Sequence, residues 1–324
     1  MAGLERLSGG NFLVIGRAGM DLYADPPGAR TEVATQFTTA LGGSSANIAA
    51  GLCRLGCHAA LVTRVSDDAI GRFCLNQLDA YGIDRRHVTA QGGEARNSLA
   101  VVETRLENTQ SVIYRNGAAD FEMTVSDVEA VDYTAFSALV TTGTVLAAEP
   151  SRNACFRAFD LARAAGLPLV FDVDYRPYSW PSPDIAAEVY SRAAALCDVI
   201  IGNDVEFGFM AGGMEKGLDK ARSLIADGAK IVVYKMGELG AITITPEGEF
   251  QTGIYRTKAL KPTGAGDSFM AGFLTTLAGG GDVKTAVLTG SAAAAIVVSR
   301  VACAPAMPTP DELSAFMAAN PAPI

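Results

Sequence analysis

The readable pattern begins with Phe12-Leu13-Val14-Ile15, four apolar residues in succession closed by Gly16. An unbroken apolar run of this kind predicts a strand buried on both faces, as in a parallel sheet. From Met20 to Thr39 the chain is more polar, is punctuated by Pro26-Pro27-Gly28 and alternates around Val33 and Phe37, which predicts a strand pair outside the core. Gly42-Gly43-Ser44-Ser45 opens a helix through Leu55, Ala60 to Arg64 returns as a strand, and a second helix spans Ile70 to Tyr81. Between Asn97 and Arg115 the period drops to two, with Leu99, Val101 and Thr104, then Val112 and Tyr114, on either side of Glu107-Asn108; this predicts a hairpin.

Beyond residue 137 the rhythm is regular. Ala138 to Thr141, Leu169 to Val173, Val199 to Ile201, Lys230 to Lys235 and Ala241 to Thr245 read as strands separated by helices or turns. The expected fold class is α/β: a doubly wound, mostly parallel sheet that binds its ligands beyond the carboxyl ends of the strands, with the two early patches forming one small accessory β-layer. Ala286 to Val298 is apolar but interrupted by Thr289 and Ser291, so it reads as a buried helix, too short to span a membrane. No internal repeat or linker divides the chain, and a single domain over residues 1–324 is expected.

Composition narrows the function classes. With 324 residues, 49% hydrophobic and 19% charged, the chain can bury a core without disulfides or metals, and its 34 glycines favour an α/β enzyme over a coiled coil. A net charge of −9 argues against nucleic acid or an anionic membrane as partner. Six scattered cysteines without a C-x-x-C pair, and an N-terminus unlike a signal peptide, point to a reducing cytoplasm. Cys53 and Cys57 are expected on one helix face, packed inward. Two histidines, His58 and His87, leave little material for a zinc site or a histidine-based triad, and His58 is expected to cap a helix end.

The chemistry concentrates in Lys261-Pro262-Thr263-Gly264-Ala265-Gly266-Asp267-Ser268-Phe269-Met270-Ala271-Gly272. Small residues at 264 to 266 leave their backbone N–H groups bare, and the apolar run after Asp267 starts a helix, so the amides form an anion site at a helix N-terminus. Asp267 alone reads equally well as a helix cap. Beside such amides, however, a carboxylate is what phosphoryl transfer needs to take a proton from an attacking hydroxyl. No P-loop and no protein-kinase motif set is present.

This segment and Gly42-Gly43-Ser44-Ser45-Ala46-Asn47-Ile48-Ala49-Ala50-Gly51-Leu52 closely resemble the two signatures of the PfkB (ribokinase-like) family of carbohydrate kinases, and the resemblance extends over nearly the whole chain. It implies a ribokinase-like three-layer fold with a small β-sheet lid built from residues 20–39 and 96–120, whose exposed edge in turn predicts a homodimer formed through that lid. It also implies ATP and magnesium as cofactors, Asp267 as base, and the amides of Gly264, Ala265 and Gly266 as anion hole. Asn203-Asp204-Val205-Glu206 matches an N-x-x-E motif, which implies Glu206, with Asn203, near the metal and phosphates. Asp21, Gly42, Gly43 and Asn47 match sugar-contacting positions, and Lys235, Gly237 and Gly240 match the nucleotide loop. The helix from Ala286 to Val298 is expected beside the adenine.

Two further segments are distinctive: Tyr114-Arg115-Asn116-Gly117-Ala118-Ala119-Asp120 and Phe171-Asp172-Val173-Asp174-Tyr175-Arg176-Pro177-Tyr178-Ser179-Trp180. Both resemble segments of sugar-acid kinases in the family. A guanidinium fork matches a carboxylate, so Arg115 and Arg176, with Asn116 and Asp174, are expected to bind a sugar acid. The competing reading is an ion pair of about 0–1 kcal/mol at the surface. The wording is most similar to kinases of 5-dehydro-2-deoxygluconate, ahead of 2-dehydro-3-deoxygluconate; fructose or ribose kinases, and a non-catalytic sugar-binding protein on the same fold, are the alternatives. Tyr178 and Trp180 are read equally as packing residues. Lys261, six residues before Asp267, stands where many relatives carry an aspartate tied to a monovalent cation, which leads to the expectation that activity does not depend on potassium.

Overall fold

The computed structural model describes residues 3–323. In chain order, β1 (Asn11–Ile15), β2 (Gly19–Asp25), β3 (Gln36–Gly42), α1 (Ser44–Arg54), β4 (His58–Ser66), α2 (Ala69–Ala80) and β5 (Val88–Gln91) are followed by β6 (Leu99–Val102) and β7 (Ser111–Tyr114). The regular half then runs α3 (Val125–Glu129), β8 (Ala138–Thr142), α4 (Ser151–Ala164), β9 (Leu169–Asp172), α5 (Pro183–Ala195), β10 (Val199–Asn203), α6 (Asp204–Ala211), α7 (Gly217–Ala226) and β11 (Ile231–Lys235). It closes with β12 (Ala241–Thr245), β13 (Gly248–Thr252), α8 (Ala265–Ala278), α9 (Val283–Val298) and α10 (Pro310–Ala319).

The main sheet has the order β13-β12-β11-β10-β9-β8-β1-β4-β5, parallel throughout except for β12, which runs antiparallel to both its neighbours. The apolar run 12–15 serves two cores at once, as a doubly covered strand must: Phe12 and Val14 pack with α1, α8 and α9, whereas Leu13 and Ile15 pack with the α4 to α7 side. β4 and β5 lie on one side of β1 and β8 to β11 on the other, so the order reverses between β1 and β8. A crevice at such a reversal is where open α/β sheets receive their ligands.

The two polar, alternating patches meet in a second sheet of order β3-β2-β6-β7. β2 pairs with β3 antiparallel, β6 with β7 antiparallel, and β2 with β6 parallel, so the early strand pair and the later hairpin are joined edge to edge. Two local expectations fail. α1 stops at Arg54, so Cys57 lies beyond the helix, although both it and Cys53 are half-buried against the core. His58 is the exposed first residue of β4 and caps nothing, because the amides of Leu55, Gly56 and Cys57 already bond the last carbonyls of α1. All six cysteines are free thiols, and among the described residues no helix is long and apolar enough to cross a membrane.

Candidate active site

A cleft of about 1260 Å³ opens at the carboxyl ends of the parallel strands and gathers most of the residues singled out in the sequence. Its floor is the start of α8. Gly264 precedes the helix with φ 85° and no side chain caps it, so the first-turn amides face the cleft. Only glycine fits at 264: besides the left-handed backbone, a Cβ there would stand 2.7 Å from the Cys303 sulfur. Asp267 sits in the first turn without acting as a cap. Its Oδ2 accepts a 2.8 Å hydrogen bond from Asn47 Nδ2 of α1, which ties the two signature segments together. Burial, followed by the negative charge of Asp174, pushes the Asp267 carboxyl up to about 7, where it can hold or release a proton near neutrality. Asn47 lines the cleft, while its other polar atom, Oδ1, is buried without a partner.

The opposite wall comes from α1, β2 and the loop after β9. A Cβ at Gly43, whose φ is 94°, would strike the backbone of Arg17 and Ala18, so the loop into α1 lies directly on the end of β1. Asp21 of β2 is buried and accepts a 3.0 Å bond from the Tyr23 hydroxyl; burial raises its carboxyl above the usual range. Gly42 is packed behind Asp21, which leaves no room for a Cβ, and does not itself face the cleft. Asp174 adopts φ 38° and is held by three partners: Ser44 Oγ donates to its Oδ2, Arg176 Nη2 lies 2.6 Å from its Oδ1, and the Tyr190 hydroxyl donates to its carbonyl. Burial opposes its charge, yet Arg176 and the Ser44 bond prevail and lower its carboxyl.

The two arginines chosen from the sequence line the cleft, but each already serves a carboxylate of the chain. Arg115 is ion-paired with Asp120 in a buried contact, donates to the Thr144 carbonyl and lies 4.0 Å above the Phe121 ring. This is a buried pair, not the surface pair weighed above. Arg176 is paired with Asp174. Asn116 is exposed and lies outside the cleft lining. Tyr178 reaches the cleft while remaining 60% exposed, whereas Trp180 belongs to the core beside Tyr190.

Asn203 and Glu206 form a capping box at the start of α6: Asn203 Oδ1 accepts from the Glu206 amide at 2.9 Å, and Glu206 Oε2 accepts from the Asn203 amide at 2.7 Å. Glu206 Oε1 also accepts from the Tyr175 amide at 3.1 Å, so this one side chain fixes the loop that carries Asp174 and Arg176. Asp172, at the end of β9, stands in the second distinctive segment, which assigned it no role of its own. Among the described residues its carboxylate makes no hydrogen bond, and burial together with the charges of Asp174, Glu206 and Asp267 drives it well above the normal range, against the pull of Lys235. Lys235 ends β11 in register with Asn203, and its ammonium reaches the first turn of α8, 3.6 Å from where a Cβ on Gly266 would lie. Gly237 and Gly240 also line the cleft, as do Val287, Ser291 and Val298 of α9. Lys261 is fully buried and donates to the carbonyls of Thr263 at 2.6 Å and Val297 at 3.3 Å; burial lowers its ammonium pKa.

A bare helix N-terminus, a carboxylate poised near neutrality and an adjoining polar wall are the parts of a phosphoryl-transfer site. The model of the pfkB family carbohydrate kinases matches residues 11–310. This chain belongs to the pfkB family. As a PfkB enzyme it is a sugar kinase, a phosphotransferase with an alcohol acceptor. It is 39% identical over 312 residues, covering 95% of this chain and 93% of the relative, to a protein of Geobacillus kaustophilus (strain HTA426) named 5-dehydro-2-deoxygluconokinase. A Photobacterium profundum protein of the same name is 38% identical, with 94% of each chain covered. Among solved structures, this PfkB kinase resembles the PfkB protein of Polaromonas sp. JS666 with TM-score 0.81 and 29% identity, covering 94% of this chain and 99% of that one. It also resembles a fructokinase double mutant of Vibrio cholerae O395 in a fructose-, ADP- and potassium-bound form, with TM-score 0.83, 25% identity and coverage of 95% and 98%.

Proposed function

We propose that this chain is an ATP- and magnesium-dependent kinase of the sugar acid 5-dehydro-2-deoxy-D-gluconate, transferring the γ-phosphoryl group to its terminal C6 hydroxyl in the cytoplasm. The observation that carries the reading is the Asp267–Asn47 bond: it fixes a carboxylate of pKa about 7 between the bare amides of α8 and the wall of α1 and β2. The relatives named for this substrate supply its chemical identity.

In this reading the sugar lies against Asp21, Asn47 and the Asp174–Arg176 loop. The amides of Gly264, Ala265 and Gly266 receive the charge of the moving group. The oxygen of the C6 hydroxyl forms a bond to the γ-phosphorus as the bond from that phosphorus to the β–γ bridging oxygen breaks, and the proton of that hydroxyl passes to Asp267 as ADP departs. Lys235 sits beside the same amides and balances phosphate charge. Nucleotide contacts fall to the 237–240 loop and to α9.

The residues present fit magnesium. Four carboxylates, Asp172, Asp174, Glu206 and Asp267, share one cleft, and Asp172 offers oxygens with no other partner. Among the described residues no cluster of three or more acidic, histidine or cysteine side chains could hold a metal by itself. That suits an ion which keeps much of its water and its phosphate ligands. Asp172, with Glu206 and Asn203 acting through water, would hold it, and it would supply neutralisation of phosphate charge. The four-stranded sheet, inserted as residues 20–39 and 96–120 into one kinase domain, serves as the lid over the sugar.

A coupled assay for ADP release over 5-dehydro-2-deoxygluconate, 2-dehydro-3-deoxygluconate, fructose and ribose tests this reading. The highest kcat/KM is expected on the first, with the phosphate on C6 by NMR. Preference for a neutral sugar overturns it.

A further inference from the structure

With Arg115 and Arg176 each facing a carboxylate of the chain, the wall that receives the sugar needs another cation if it is to prefer an acid. Arg17 answers that need and lies outside both family signatures. It follows β1 directly, at the β1/β8 reversal of strand order, and lines the cleft together with Asp21, Ser44, Asn47 and Asp174. It is about nine-tenths buried, at 9% exposure, so its remaining surface is the part turned to the cleft. Among the described residues its guanidinium makes one hydrogen bond, from Nη1 to Ser98 Oγ at 2.9 Å. Among the described residues no carboxylate oxygen lies within 4 Å of its guanidinium, in contrast to Arg115 with Asp120 and Arg176 with Asp174. Nor are Nε and Nη2 sealed away: the buried side-chain atoms lacking partners include the Nε of Arg115 but no atom of Arg17.

A guanidinium removed from bulk water with one edge unmatched is a receptor for a planar anion. The two neighbouring carboxylates do not fill that edge. Asp21 is engaged by Tyr23, and Asp174 by Ser44 and Arg176. Both nonetheless feel the charge of Arg17, which places it on the same wall. Arg115 cannot easily substitute, since a ligand would have to displace Asp120 from a contact in which the two side chains are 6% and 1% exposed.

We propose that Arg17 is the specificity-determining residue of this kinase, its free guanidinium edge binding the carboxylate of the acceptor. This rests on the sugar-acid reading above. The test compares wild type, Arg17→Gln and Arg17→Lys on 5-dehydro-2-deoxygluconate and on the same compound with its carboxylate reduced to the alcohol. The ratio of kcat/KM for acid over alcohol should fall about 10–100-fold in Arg17→Gln, mainly through the KM of the acid, and by less in Arg17→Lys, which keeps charge but not the fork. The KM for ATP and the thermal midpoint of each variant report folding. An Arg17→Gln enzyme that keeps the wild-type ratio overturns the assignment to Arg17 and leaves the substrate reading standing. A wild-type enzyme that prefers the alcohol overturns the substrate reading itself.

Discussion

In the proposed mechanism Asp267 would owe its fitness as a base to its surroundings. An exposed aspartate is too weak a base at neutrality, whereas burial and the nearby Asp174 bring this one to about 7. Asp267→Asn should therefore leave sugar affinity nearly intact and lower kcat by about 10²–10⁴-fold, measured by coupled turnover alongside calorimetric binding. Because the base must be ionised to take the proton, kcat/KM of the wild type should fall as pH drops below about 7 and level off above it, and the Asn variant should lose that limb. Asp267, Gly264 and Asn47 were legible because their neighbours in sequence are their neighbours in the site. Arg17 and Asp172 were not. Gly16-Arg17-Ala18-Gly19 reads as an ordinary turn, and its meaning comes from Ser98 and the wall of α1, which only the fold brings near. Arg115 and Arg176, singled out in the sequence, line the cleft, but their internal partners, Asp120 five residues on and Asp174 two residues before, compete for the same charge.

Among the elements, strands covered on both faces were the most legible, since continuous apolar runs leave one solution. β5 and β13 were missed because they are edge strands whose residues are largely half-buried or exposed, so no apolar run marks them. The link between α9 and α8 is equally hidden in one dimension: Lys261 bonds Val297 near the end of α9 and Thr263 in the loop that leads to the anion hole. An ammonium built into that joint already supplies a monovalent charge. Rates measured in potassium chloride and in tetramethylammonium chloride at equal ionic strength should agree within about twofold, as expected where a fixed ammonium stands in for the ion. Strong activation by potassium would show that Lys261 does not supply it.

At the scale of the whole molecule, the strand order, and with it the crevice between β1 and β8, could not be read from the chain, because apolar runs carry no record of which strand lies beside which. The accessory sheet was legible as a second layer from its alternation. The sheet and its connecting loops also expose apolar bulk: Tyr114 at 61%, Val112 at 44% and Phe37 at 37% on the strands, Val33 at 71% and Leu106 at 54% in the loops between them. Such surface on a small sheet with two open edges suits pairing with a second copy. Light scattering on the purified protein should give about twice the chain mass, and Val112→Glu with Tyr114→Glu should return it to the monomer mass; a monomeric wild type would rule the pairing out. The cleft is divided in a way that matters for redesign. α9 and the 237–240 loop form one bank, β2, α1 and the loop after β9 form the other, and the Asn47–Asp267 bond is the bridge between them. If the proposed roles hold, retargeting the enzyme to a new alcohol is a problem of rebuilding one bank while leaving untouched the one assigned to the phosphate donor.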